Sequence, residues 1–221
     1  MRIAVLGATG DLGSALVGLA LDRGHRVVAH ARDPARIEAR PGLEVFGGAV
    51  TDVDAVAGAL AGADAVVSCI GAGPSPTRLV GVDLMQTVLP ALLAALDRAG
   101  AGRLVLVSAF GVGDTAAKAS PVARLLYRTV MRSLFEDKAR AERALEAADL
   151  DWVAVHPVTL RHGPAEPTEV VPLAEVARVP GLPRATYAGV ARVLLDLAAD
   201  AGPPRRRLLV APAGAHRPVP R

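Results

Sequence analysis

The alternation of unbroken apolar runs with helical stretches is the feature that most restricts this chain. RIAVLG (2–7) is followed by the glycine-rich ATGDLG and then by SALVGLALDRG, whose apolar residues recur at helical spacing up to Gly24. The rhythm repeats: the runs HRVVAHA (25–31), LEVFGGAV (43–50), DAVVSCIG (64–71), RLVLVSAF (103–110), DWVAVHPV (151–158) and RRRLLVAP (206–213) read as strands. Helices are expected at 51–62, 80–100, 121–149 and 185–200. A strand buried on both faces has no need to alternate polar and apolar residues, and an interposed helix is long enough to return the chain for a parallel pairing. The expected fold is therefore α/β: a single doubly wound domain over 1–213, with a mostly parallel sheet of about seven strands and helices on both faces. A Pro-rich loop is expected at about 160–183, covering the substrate side, and a loose tail at 214–221.

The turn GATGDLG (7–13) spaces its glycines three apart between a strand and a helix. Gly7 and Gly10 let backbone amides approach a pyrophosphate, Gly13 lets the helix pack closely on the sheet, and the helix N-terminus presents free N–H groups to the anion. The spacing departs from G-x-G-x-x-G, but the strand–turn–helix context is that of a dinucleotide-binding Rossmann unit. After the second strand comes HARDPAR (30–36). Arg32 and Arg36 suit a ribose 2′-phosphate, and Asp33 before Pro34 reads as a turn start, so NADP(H) is expected over NAD(H).

GATGDLG and HARDPAR, together with SAFGVGD (108–114) and EDKARAERALEAADLDWVAVHP (136–157), resemble the short-chain dehydrogenase/reductase superfamily. The resemblance covers about residues 1–200 and is strongest to the atypical NAD(P)H-binding branch that includes biliverdin-IX-beta reductase/flavin reductase proteins. It implies that Gly7, Thr9, Gly10, Asp11 and Leu12 hold the pyrophosphate and Arg32 and Arg36 the 2′-phosphate, with Gly13 counted in the cofactor-binding turn for the packing it allows. It also implies that Val50 meets the adenine through its amide, that Ile70 and Gly71 line the ribose, and that Ser108 stands beside the nicotinamide. His156 and Pro157 are expected to close its far side. Three positions depart from the family pattern: Ala49 where Asp is common, His156 where Arg is common, and Gly189 where an acid is common.

The candidate catalytic residues are Ser108, Lys138 and His156. Lys138 is one of only two lysines, with Lys118, in a chain that otherwise uses Arg. Four residues before it, where a tyrosine would make a phenol–ammonium proton donor, stands Leu134. Reduction of a ketone creates an alkoxide that needs an acid, whereas a flat conjugated acceptor spreads the charge over its own π-system. The expected reaction is therefore hydride transfer from NADP(H) to a flavin, quinone or tetrapyrrole. The alternatives are a carbonyl reductase or epimerase-like enzyme using Ser108 and Lys138, and a non-catalytic NADP(H)-binding sensor. Tyr127 lies eleven residues before Lys138, about 16 Å along a continuous helix, and is expected to pack.

Composition excludes several other classes. Net charge is +3 with arginines dispersed among 22 acids, and aromatics are 3%, so neither a basic stripe nor a stacking platform for nucleic acid is present. No apolar run approaches the ~18 residues of a membrane span, and a cytoplasmic location is expected. The single cysteine, Cys69, and five scattered histidines offer no disulfide and no metal-ligand spacing. The expected partner is a small conjugated acceptor alone, with no nucleic acid or membrane, and the chain is expected to be a monomer or homodimer.

Overall fold

The computed structural model describes residues 1–71, 83–200 and 202–220, so the helix start expected at 80 lies outside the described residues. The main sheet has eight strands in the order β3-β2-β1-β4-β5-β6-β11-β8. They are β1 (Arg2–Leu6), β2 (Arg26–Ala31), β3 (Leu43–Gly47), β4 (Ala65–Ser68), β5 (Arg103–Val107), β6 (Trp152–Pro157), β8 (Thr168–Pro172) and β11 (Arg206–Pro212). All pairings are parallel except that of β8 with β11. The helices are α1 (Asp11–Asp22), α2 (Val53–Leu60), α3 (Leu84–Ala99), α4 (Pro121–Arg128), α5 (Arg132–Glu146) and α6 (Tyr187–Ala199).

Side chains alternate through the sheet into two cores. Ile3, Val5, Val67, Val105 and Val155 join α1 and α6 on one face. Ala4, Leu6, Val66, Leu104 and Ala154 join α2, α3 and the inner side of α5 on the other. The expected doubly wound architecture is present, with one more strand than expected. Among the described residues no helix is long and apolar enough to cross a membrane.

Three expectations are corrected. The helix expected over 121–149 is two helices, separated at Thr129–Met131. Thr129 and Val130 are both β-branched, and Thr129 donates its hydroxyl to the Leu125 carbonyl at 2.8 Å, which competes with continuing the ladder. The loop expected at 160–183 is partly built into strands. Besides β8 it holds part of β7 (Thr159–Arg161), which pairs with β10 (Arg184–Thr186), and β9 (Val176–Arg178). The tail is pinned rather than loose: β12 (Arg217–Pro218) pairs with β9, and Val219 donates its N–H to the Glu175 carbonyl at 2.8 Å.

α3 and α5 are fastened by a buried carboxylate. Asp137 on α5 accepts the N–H groups of Met85 at 2.8 Å and Gln86 at 3.1 Å, satisfying donors at the start of α3. A side chain from another helix thus supplies the cap that α3 lacks locally, and it fixes the rotation of α5 against the sheet.

Candidate active site

The parallel registers bring the carboxyl ends of β1, β2, β4, β5 and β6 to one edge: Leu6 lies beside His30 and Ser68, Ser68 beside Leu106, and Val107 beside Val155. Gly7, Arg32, Ile70, Gly71, Ser108 and Pro157 follow or end these strands and so share that edge. Ligands of such sheets bind there.

The glycines of the turn have separate physical roles. Gly7 has φ +77°, and a β-carbon on it would lie 3.0 Å from the Cys69 carbonyl. A β-carbon on Gly13 would lie 2.2 Å from the Gly7 oxygen, so α1 can sit this close only on glycine. Gly10 is different: its φ is −80°, and a β-carbon there would meet only the Gly7 oxygen, at 3.5 Å. Nothing in the protein requires glycine at position 10. The first helical bond runs from the Ser14 N–H to the Gly10 carbonyl, so the amides of Asp11, Leu12 and Gly13 precede the ladder and are free for an anion. The Leu12 side chain is in the core, which leaves it only a backbone role. The Asp11 carboxylate turns towards His162, 3.9 Å away, and sits beside Tyr187, whose phenol is pushed up by burial and by that carboxylate.

Arg32 and Arg36 are exposed and, among the described residues, neither guanidinium has an ion-pair partner. The Asp33 carboxylate instead accepts the Ala35 N–H at 3.2 Å and starts a short 3-10 turn at Pro34. That use leaves the two arginines as the charged groups facing outward after β2. Val50 has its side chain in the core, compatible with a role for its amide alone. Ala49 is exposed and offers no carboxylate.

Lys138 is buried and donates to the Val107 carbonyl at 3.3 Å. A β-carbon built on Gly71 would lie 3.9 Å from its Nζ, which places the ammonium beside the loop that follows β4. Burial pulls the Lys138 pKa down, against the opposing pull of Glu142 and Asp137. Leu134 is 7% exposed and packs in the core, so no hydroxyl stands one turn before the lysine. Tyr127 packs on Phe135, ring centroids 5.0 Å apart, and both rings crowd Gly111. A separate cleft of about 440 Å³ lies beside those rings, with Arg128 and Arg132 at its wall; none of the expected site residues lines it. Cys69 is inert: burial pushes its thiol up to about 12.

Two expectations change here. His156 has no exposed surface; it points to the α5 face of the sheet, opposite Val155, and its Nδ1 pairs with the Ala109 carbonyl at 3.2 Å. Burial lowers its pKa to about 4, so it is neutral near pH 7 and cannot cover the nicotinamide or deliver a proton to a substrate. Ser108 is at the expected strand end, yet only 6% exposed, and its hydroxyl bonds to Glu142. Glu142 is not among the site residues expected from the sequence. It is buried, and its place one turn after Lys138 on the same face was the signal for it. Gly189 also finds a reason: a β-carbon there would come within 3.0 Å of the Thr168 and Thr186 hydroxyl oxygens, so an acid at this position has no room.

His156 has a stability consequence. Its folded pKa of about 4 lies below the model-compound value of 6.5, so the unfolded chain takes up the proton first as pH falls. The contribution is complete above about pH 6.5 and is lost progressively towards pH 4, amounting to about 3 kcal/mol. In His156→Gln, urea midpoints measured across this window are expected to show a flatter acid slope than the parent. Parallel slopes in the two proteins would refute the assignment.

The sequence profile of the family described as NAD(P)H-binding matches residues 7–201. This chain belongs to the NAD(P)H-binding family. The match spans the glycine turn, both arginines and all of α5. Among individual relatives of this family member, the "3 beta-hydroxysteroid dehydrogenase/Delta 5-->4-isomerase" of Mycobacterium tuberculosis is 38% identical over 122 residues, covering 50% of this chain and 32% of the relative. "Oxidoreductase AgnL4" of Paecilomyces divaricatus is 30% identical over 158 residues, covering 65% of this chain and 60% of the relative. The chain thus spans about a third and three-fifths of their lengths.

Solved structures share the family member's fold. A short-chain dehydrogenase/reductase of Veillonella parvula in complex with NADP aligns with a TM-score of 0.80 at 18% identity, covering 98% of this chain and 96% of that one. ChuY, an anaerobillin reductase of Escherichia coli O157:H7, aligns with a TM-score of 0.77 at 22% identity, covering 97% and 98%.

Proposed function

We propose that the protein is an NADP(H)-dependent reductase that passes hydride to a flat conjugated acceptor, a flavin, quinone or tetrapyrrole. The observation that carries this reading is the pairing of an in-place Lys138 with a core-packed Leu134: the ammonium is kept and the phenol is replaced by packing. An acceptor that delocalises the incoming charge tolerates that loss, whereas a ketone does not. The similarity to ChuY, an anaerobillin reductase, supports the acceptor class.

The residues present suit NADP(H). When bound, the dinucleotide supplies the hydride. The amides of Asp11, Leu12 and Gly13 bind the pyrophosphate, Arg32 and Arg36 hold the 2′-phosphate, and Lys138 orients the nicotinamide ribose from beside Gly71. Ile70 and Pro157, after β4 and at the end of β6, would flank the nicotinamide end of the cofactor. Ser108 lies at the end of β5, the strand next to the cofactor turn's neighbour β4.

A carbonyl substrate is the second reading, favoured by the 38% identical stretch shared with the hydroxysteroid dehydrogenase. The two are separated by following NADPH oxidation against a panel of flavins, quinones, linear tetrapyrroles and small ketones. Turnover confined to the conjugated compounds is expected. Turnover of ketones alone would replace the first reading with the second. Tight NADPH binding with no oxidation by any compound would mark a cofactor-binding sensor.

A further inference from the structure

Glu142 is the buried acid that the proposed reaction leaves unused. It is 6% exposed, on the inner face of α5, and its Oε1 is hydrogen-bonded to the Ser108 hydroxyl at the carboxyl end of β5. Its charged or titratable neighbours among the described residues come from four elements. Lys138 lies one turn before it on α5 and Glu146 one turn after; β6 contributes His156, β11 contributes Arg207, and the turn after β5 contributes Asp114. Arg207 Nη2 is 3.6 Å from Oε2, too far for a strong bond, and its own hydrogen bond goes to Asp114 at 2.7 Å.

His156 offers nothing either. Its Nδ1 faces a carbonyl, which can only accept, so the hydrogen sits on Nδ1 and the Nε2 turned towards Glu142, 3.8 Å away, is a bare lone pair. Among the described residues that Nε2 has no hydrogen-bond partner. An ionised carboxylate presents about four acceptor sites, and among the described residues one hydrogen bond serves them. A neutral carboxylic acid is far better matched to such a pocket. Burial pushes the Glu142 pKa up, against the hydrogen bond from Ser108 and the charges of Arg207 and Lys138.

We propose that Glu142 is the proton reservoir of this site, supplying the reduced acceptor through the Ser108 hydroxyl. The inference rests on the reductase reading above. As the acceptor gains a hydride, the Ser108 O–H bond breaks and its proton forms a new O–H or N–H bond on the acceptor. The carboxylic O–H of Glu142 breaks in turn, and that proton restores the Ser108 hydroxyl. The acceptor has then gained one hydride and one proton, and Glu142 is left as a carboxylate beside Arg207 until a solvent proton returns it to the acid. The same titration also sets the direction of the hydrogen bond. The acid donates to Ser108 and frees its proton for the acceptor, whereas the carboxylate captures that proton.

The test compares the parent with Glu142→Gln and Ser108→Ala. The first measurement needs no acceptor: infrared spectra across about pH 6–8 should contain a buried carboxylic-acid carbonyl band that deuteration shifts and Glu142→Gln removes. The second is NADPH oxidation with the best acceptor of the panel. The parent rate is expected to fall as pH rises through the Glu142 titration. Glu142→Gln, whose amide can still hold Ser108 in place, is expected to lose about 100-fold in kcat and the pH dependence with it, while KM for NADPH is unchanged. Ser108→Ala should match it, and thermal melts with NADPH confirm that both variants fold. Absence of the band at neutral pH overturns the relay while leaving the reductase reading intact. A Gln variant that keeps the parent's rate and profile does the same and reduces Glu142 to a structural acid. A band without any acceptor that NADPH reduces overturns the relay because the reductase reading itself has failed.

Discussion

Replacing Arg32 and Arg36 together with Ala is expected to weaken NADPH binding by about 100- to 1,000-fold while changing NADH binding by less than about threefold. The asymmetry is the content of the prediction. Each guanidinium is exposed and without an ion-pair partner among the described residues, so its removal leaves no buried charge and disturbs no packing. Charge-assisted bonds to a 2′-phosphate contribute roughly 1.5–2 kcal/mol each, and the two sum to the stated range. Asp33 cannot convert the variant into a good NAD(H) site, because its carboxylate is committed to the Ala35 N–H. Fluorescence titration of both nucleotides reads the result. Equal losses for NADPH and NADH would mean that the arginines serve the fold or the pyrophosphate, and the NADP(H) assignment would fall.

Gly13→Ala should destabilise the fold by about 3 kcal/mol or more, lowering the melting temperature by roughly 6–12 °C. The atoms in the way are all backbone: the Gly7 oxygen at 2.2 Å, the Gly7 carbonyl carbon at 2.9 Å and the Ala8 Cα at 3.0 Å. No side chain can swing aside, so either α1 lifts from the sheet or the turn between β1 and α1 opens. Gly10→Ala is the control. Its backbone is already in a region open to alanine, and its nearest neighbour is at ordinary contact distance. Stability should be kept, while the new methyl group meets the pyrophosphate and weakens NADPH binding. Thermal melts of the free proteins separate the two. A Gly13→Ala protein that melts with the parent would show that helix–turn packing has slack the geometry does not suggest.

The strands β1, β2, β4, β5 and β6 were legible because they are buried on both faces and therefore written in unbroken apolar residues. The segment 160–183 was not, because its strands are short, partly exposed and bounded by proline, so periodicity gave them no signal. Its structure comes from tertiary partners: β11 for β8, β10 for β7 and the C-terminal tail for β9. The break at Thr129–Met131 had a local cue in two adjacent β-branched residues, Thr129 and Val130. At the site, Lys138 stood out from an arginine-rich composition and Ser108 from its place after an apolar strand. The orientation of His156 could have been read from strand parity, since it alternates with Val155 and Pro157 and so faces α5. Asp137 and Glu142 could not be distinguished from solvated helix acids without knowing which side of α5 meets the sheet.

β8 has a consequence for engineering. It arrives from the segment between β6 and α6, yet it closes the edge of the main sheet against β11. That segment is therefore not an exchangeable loop. A chimera carrying the corresponding stretch of a relative would import a sheet edge and the anchorage of the C-terminal strand with it, so resistance to heat would shift with the exchange. Variation in this segment is better confined to the exposed residues 162–165, which belong to no strand.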